Sequence, residues 1–322
     1  MSFYKVAASV DDLLFDALSH LLSDGEALVA TRGGNLEVRG AVLELTNPRA
    51  RLSRSANRGR LFSALGELTW YLAGSDDLKH IEYYIPNYGE AVGELRGAYG
   101  PRLFGEGHDA QIRRIIEQLR TSPTSRQAVV QIFRVEDLLG DHKDVPCTCT
   151  LQFFDRDGRV DVVAYMRSND IFYGFPHDVF AFTMIQELVA RALGREVGTY
   201  VHMVGSLHLY DSHVSAAQTY INEGAMAGRP MSPMPEGDPW PAVRRLLAKE
   251  AALRRDEDMS KAAPEPIDYW SDIGAVLEGW RGFRSKDGDR LGKVRDRLAN
   301  GFYGLYLSDK HFEMEAAGLD AE

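Results

Sequence analysis

Residues 149–193 constrain the fold more than any other stretch of this 322-residue chain. Two strand-like runs, CTLQFF at 149–154 and RVDVVAYM at 159–166, flank Asp157-Gly158, a pair suited to the tight turn of a β-hairpin. An apolar-rich segment follows whose spacing predicts a buried helix over about 178–193, and then a strand near 197–205. Further strands are expected at 127–133 (QAVVQIF) and on both sides of the turn Arg32-Gly33-Gly34-Asn35 within 27–46. Helices are expected within 3–22, at about 58–73 and at 108–121. Strands and helices mixed in this order predict the α+β class, one large mixed sheet with helices packed on it.

After about residue 230 the character changes. Pro230, Pro233, Pro235, Pro239 and Pro241 mark a linker, and Arg244–Arg255 has the composition of a charged, solvated helix. Residues 268–308 have helical spacing, with Trp270, Ile273, Val276, Leu277 and Trp280 on one face. The expected division is a main domain over 1–230 and a linker with a helical C-terminal extension over 231–322. That extension would pack on the main domain or on a partner subunit.

With 47 acidic against 37 basic residues, the net charge of −10 argues against a broad nucleic-acid surface. A mononucleotide phosphate needs only two or three placed arginines, so charge favours a small ligand over a polymer. There is no signal-peptide pattern, no stretch of membrane-spanning length, no Gly-rich phosphate loop and no Cys/His metal spacing. No metal and no membrane are therefore expected. Cys147 and Cys149 are the two cysteines, too close for an unstrained disulfide, which suits a reducing cytoplasm.

Three segments carry the chemistry: VPCTCTLQF at 145–153, RSNDIFYGFPHD at 167–178 and GSLHLY at 205–210. A free cysteine is usually a small buried hydrophobe, and a nucleophilic one needs positive charge beside it to exist as thiolate. In a strand Cys149 would share a face with Cys147, so residue type alone does not choose between them. In content and order the segments resemble the thymidylate synthase superfamily: its Pro-Cys followed by Gln-Phe, its Arg-Ser-x-Asp-x-x-x-Gly-x-Pro run, and its His-x-Tyr. Arg32-Gly33, GELTWYL at 66–72 and Tyr99-Gly100 fall where that family has comparable elements, so the resemblance spans about residues 25–220.

The resemblance implies transfer of a one-carbon unit to C5 of a pyrimidine nucleoside monophosphate, with 5,10-methylenetetrahydrofolate as co-substrate. It selects Cys147, after Pro146 and five residues before Gln152, as the nucleophile that adds to C6. It makes Arg167 the cation beside that sulfur and a phosphate contact. Glu67 and Tyr99 match residues that handle the C5 proton. Arg32, Arg167 and Ser168 match phosphate contacts, and Arg126 matches one that reaches across a homodimer. Gln127 stands where a second cross-subunit arginine is common. Gln152, His208 and Tyr210 match substrate contacts, and Asp170 and Gly174 are assigned to the folate.

Asp178 departs from the pattern most informatively. Uracil-specific members carry Asn there, whereas members that hydroxymethylate cytidylates carry Asp. A carboxylate accepts from the cytosine amino group and supports a proton on N3, although Asp at a helix start is also an ordinary cap. Synthases place tryptophans around Tyr84–Tyr88, and their replacement here is expected to admit water, giving hydroxymethyl in place of methyl. Asn169, where Cys is frequent, is expected to help hold that water. The expectation is thus a cytidylate 5-hydroxymethylase of the superfamily. CMP stands ahead of dCMP because the long tail sets the chain apart from compact phage-type enzymes. The rivals are a divergent uridylate methyltransferase and a nucleotide-binding homologue without turnover.

Overall fold

The computed structural model describes residues 3–30, 33–55, 60–93, 95–107, 110–139, 143–224, 228–257, 266–316 and 318. In chain order the elements begin β1 (Tyr4–Ala7), α1 (Val10–Asp24), β2 (Glu26–Ala30), β3 (Gly33–Leu45), α2 (Leu61–Leu72), α3 (Leu78–Glu82) and α4 (Tyr88–Val92). They continue with α5 (Tyr99–Phe104), α6 (Gln111–Thr121), β4 (Val129–Gln131), β5 (Thr148–Arg156), β6 (Arg159–Asp170), α7 (Gly174–Leu193) and β7 (Glu196–Tyr210). Helices α8 (Val214–Asn222), α9 (Trp240–Arg254), α10 (Tyr269–Ser285), α11 (Gly288–Leu298) and α12 (Gly304–Ala316) complete the order.

The strands form one seven-stranded mixed sheet in the order β1-β3-β7-β6-β5-β4, with β2 also paired to β3. Asp157 and Gly158 both take positive φ, 50° and 76°, and join β5 to β6 as the hairpin the sequence predicts. β6 and β7 are parallel, and α7 is their crossover. Leu151, Phe153, Val160, Val162, Ala164, Tyr200 and Val204 alternate inward on this sheet and are buried beneath α7. Strand β7 runs on to Tyr210 and α7 starts at Gly174, so both ordered elements reach further into the motif segments than their apolar periods indicate.

The expected strap of prolines is tied down. Met231 and Met234 are buried, Met231 N–H donates to Arg49 O at 2.8 Å and Arg191 Nε donates to Met234 O at 2.9 Å. The helix expected to be solvated is α9, and it is amphipathic: Ala242, Val243, Leu246 and Leu253 are buried, with Glu250 among them. Glu250 accepts hydrogen bonds from Tyr84 Oη and Arg254 Nε, each at 2.9 Å. Its charge is hidden from a composition count because its partners come from α9 itself and from a distant turn. The region 268–308 is divided among α10, α11 and α12. The expected stripe on α10 is buried, and Trp280 stacks on Phe62 of α2 at 5.3 Å and donates Nε1–H to Tyr83 O at 3.1 Å. The extension therefore packs on α2 of its own chain.

Trp280→Ala removes that stack and a buried hydrogen bond together. It should lower stability in urea unfolding by about 3–5 kcal/mol. A loss below about 1 kcal/mol would show that the extension is only loosely applied to α2.

Candidate active site

Topology brings the three chemical segments to one edge. β5 and β6 are antiparallel, so the start of β5 lies beside the end of β6, and β7, parallel to β6, ends there too. Helix α7 begins four positions after the end of β6, with Asp178 in its first turn and a half. Helices α2 and α5 pack over this edge and bring Glu67 and Tyr99.

Cys147 immediately precedes β5, and its carbonyl accepts the Arg167 N–H at 2.9 Å across the hairpin. Arg167 Nε and Nη2 donate to Pro146 O and Val145 O, both at 2.9 Å, which clamps the guanidinium over the loop. Nη2 then lies 3.8 Å from Cys147 Sγ. A fixed cation at that distance favours thiolate over thiol. The two cysteines do not follow one pleat: the β5–β6 register shifts between Thr148 and Thr150, so Cys149 is the extra residue of a bulge. Burial pushes the Cys149 thiol up, away from the reactive form.

Asp178 is buried and its Oδ2 accepts from Asn169 Nδ2 at 2.8 Å. Burial first, and then the charge of Glu67, hold its carboxyl well above the usual carboxylate range, against the hydrogen bond from Asn169. Gly174 allows this contact, since a Cβ there would stand 2.9 Å from Asn169 Nδ2. Asn169 does not keep its amide open for water: its Oδ1 is 2.9 Å from His202 Nε2. His202 Nδ1 is in turn 2.7 Å from the Tyr200 hydroxyl. One sequence signal marks His202, a polar residue at an inward position of the alternating strand β7.

Glu67 Oε1 accepts from Tyr71 Oη at 2.7 Å. Tyr99 Oη accepts the Thr148 N–H at 3.0 Å, beside Cys147. Burial, followed by the nearness of Cys147 and Asp178, raises the Tyr99 hydroxyl well above its ordinary value, so it stays a proton donor. Of the YIPNY run, Tyr84 turns away toward Glu250, whereas Tyr88 sits where the charges of Glu67, Asp144, Asp178 and Cys147 all act on it.

The remaining expected residues are more scattered. Ser168 lies on β6 opposite Ser206, and His208 and Tyr210, at the end of β7, meet edge to face at 4.8 Å. Arg126 is exposed, and Gln152 donates Nε2–H to its backbone carbonyl at 2.8 Å. Arg32 lies outside the described residues. Asp170 Oδ1 accepts the Phe172 N–H at 2.9 Å, and Oδ2 lies 4.0 Å from His213 Nδ1. That buried nitrogen has no hydrogen-bond partner among the described residues. The rings of Phe172 and Tyr173 stand 5.6 and 4.6 Å from His213. Asp170 and the aromatic rings of Phe172 and Tyr173 thus enclose the His213 ring. Among the described residues no group of three His, Cys, Asp or Glu is placed to hold a metal ion, and no helix is long and apolar enough to cross a membrane.

The thymidylate synthase family model matches residues 54–232. The chain is also 34% identical over 216 residues to a deoxyuridylate hydroxymethyltransferase of Bacillus phage SP01. That match covers 62% of this chain and 56% of the relative, so the chain spans little more than half the relative's length.

Asp178 has a thermodynamic signature that needs no ligand. The folded state binds its proton more tightly than the unfolded chain does, so its contribution to stability falls as pH rises from about 4 through its raised folded value. Asn does not titrate and still accepts from Asn169. Asp178→Asn should therefore gain stability relative to the wild type between pH 5 and pH 8, by about 1.4 kcal/mol for each unit of upward shift crossed. Urea unfolding at the two pH values measures this, and a constant difference would mean that Asp178 is ionised throughout.

Proposed function

The chain belongs to the thymidylate synthase family, and from that premise we propose that it hydroxymethylates C5 of a cytidine monophosphate, CMP ahead of dCMP. The observation that carries the base assignment is Asp178, buried at the site edge and anchored on Asn169. The phage relative, named for hydroxymethyl transfer, supports hydroxymethyl over methyl as the product.

Cys147 Sγ, beside the Arg167 guanidinium, bonds C6 of the ring and so builds negative charge on C5 and the N3 edge. Asp178, whose burial favours its protonated form, would supply a proton to N3 as that charge grows. Methylenetetrahydrofolate, when bound, supplies the one-carbon unit at the oxidation level of formaldehyde. Asp170, at the end of β6, and Gly174, at the start of α7, would lie against its heterocycle. Glu67, oriented by Tyr71, and Tyr99 would take up the C5 proton through ordered water. With the C5 proton gone, the bond from the new CH2 to the folate nitrogen would break and release tetrahydrofolate. Water would add to the exocyclic methylene to give CH2OH, and N3 would return its proton to Asp178 as Sγ leaves C6 and frees the nucleotide. Arg167 and Ser168, with Arg32, would contact the phosphate, and Gln152, His208 and Tyr210 the nucleoside.

The homodimer belongs to the same proposal. Val129, Tyr165 and Met203 are large, exposed and on the sheet face away from α7. A second copy covering that face would bring its Arg126 toward this site. The division at residue 230 and a cytoplasmic setting, which suits two free cysteines, complete the reading.

One second reading has support. A protonated carboxyl offers one donor and one acceptor, as an amide does, and the phage relative is named for deoxyuridylate. A uridylate substrate would follow from it. Incubation with methylenetetrahydrofolate and CMP, dCMP, UMP or dUMP, followed by mass spectrometry, decides between them. A gain of one CH2O on a cytidylate is expected, and product on uridylates alone would overturn the assignment. Cys147→Ala should abolish turnover, a loss of several orders of magnitude, while nucleotide binding persists. Cys149→Ala should stay active, and the opposite pattern would mean that the bulged cysteine is the nucleophile.

A further inference from the structure

Behind Asp178 runs a buried file of hydrogen bonds that ends far from solvent. Tyr200 and His202 are fully buried, Asn169 is 3% exposed, and each is bonded to the next. We propose that the Tyr200 hydroxyl, acting through His202 and Asn169, dictates which oxygen of Asp178 can carry a proton, and thereby sets the enzyme's choice of base. This deepens the function proposed above and rests on Asp178 meeting the base edge.

The file can be polarised in two directions. In the first, Tyr200 donates to His202 Nδ1, His202 Nε2–H donates to Asn169 Oδ1, and Asn169 Nδ2–H donates to Asp178 Oδ2. In the second every bond reverses, and Asp178 donates to the Asn169 amide oxygen. His202 is the hydrogen-bond partner that the structure gives the Tyr200 hydroxyl. Under the second polarity the phenolic proton would be buried without an acceptor, which disfavours it by roughly tenfold or more. Burial keeps Tyr200 as phenol and lowers His202 to about 3, so His202 is neutral with one N–H to place. The first polarity therefore holds. It makes Oδ2 an obligate acceptor and confines any proton to Oδ1, which has no hydrogen bond among the described residues.

The consequence is chemical. A carboxyl whose proton can sit on either oxygen is complementary to both bases, because cytosine and uracil present donor and acceptor in opposite order along one edge. Fixing the order on the carboxyl admits one base and leaves the other with two mismatched contacts. Tyr200 and His202 are thus positioning residues for specificity.

The test compares kcat/KM for a cytidylate and the matching uridylate in the wild type, Tyr200→Phe, His202→Phe and His202→Gln. Tyr200→Phe and His202→Phe should move the ratio toward unity by roughly tenfold, whichever base the wild type prefers. His202→Gln should keep it, since the Gln amide can donate to Asn169 and accept from Tyr200. Nitrogen-15 NMR supplies a readout independent of turnover. His202 should be the Nε2–H tautomer in the wild type and a mixture in Tyr200→Phe. An Nδ1–H tautomer in the wild type, a wild-type ratio near one, or an unchanged ratio in folded Tyr200→Phe would each overturn the inference. A wild type that prefers uridylate would retire the cytidylate reading and leave this test intact. If turnover is absent, the ratio of nucleotide dissociation constants by calorimetry serves instead.

Discussion

A twenty-residue helix that is apolar on nearly every side can be accommodated only between two layers, and α7 takes that place. The sheet lies under it and α2 over it. Because α7 is also the crossover that makes β6 and β7 parallel, its first turn must emerge where both strands end. The hairpin turn at Asp157-Gly158 then returns the start of β5 to the same edge. Cys147, Arg167, Asp178 and His208 are neighbours for that reason, although 61 positions separate the first from the last.

Burial of α7 also explains the polar chemistry at its two ends, since groups removed from water must find partners within the protein. Near its C-terminal end Glu187, fully buried, is paired with Arg49 and Arg51 and accepts the Met234 N–H, and these cations lower its carboxyl despite burial. The result is a satisfied charge cluster that pins the strap of prolines to the core. Near the N-terminal end, no cation among the described residues acts on Asp178, and burial with the Glu67 charge raises its carboxyl instead. One helix thus carries two buried acids driven in opposite directions by their neighbours. The acid whose ionised form is favoured is structural, and the acid whose protonated form is favoured is at the sheet edge with Cys147.

Much of this was legible in the sequence where a local rule applied. The β5–β6 hairpin follows from Asp157-Gly158, and the buried stripe of α10 follows from Trp270, Ile273, Val276, Leu277 and Trp280. What escaped depends on partners distant in the chain. Glu250 looks like a surface charge until Tyr84, 166 residues earlier, is seen donating to it. The shared face inferred for Cys147 and Cys149 assumed an unbroken pleat, and the bulge at Cys149 breaks it. His202 and Asn169 become meaningful only as a pair, because each satisfies the other's burial.

The C-terminal helices bear on the chemistry through α2. That helix carries Glu67 toward the site on one side and Phe62 toward Trp280 on another. Tyr84, held by Glu250 of α9, and Tyr83, held by Trp280 of α10, fix the turn that leads into α4 and Tyr88. In the proposed mechanism Glu67 passes a proton through water, so its carboxylate must be held closely, and a helix braced on one side only would let it drift. The sheet edge carries Cys147 and Asp178, and the extension packs on α2 opposite them. Tyr84 reaches the buried Glu250 with its hydroxyl, and Tyr88 places a hydroxyl where the charges of Glu67, Asp144, Asp178 and Cys147 act on it.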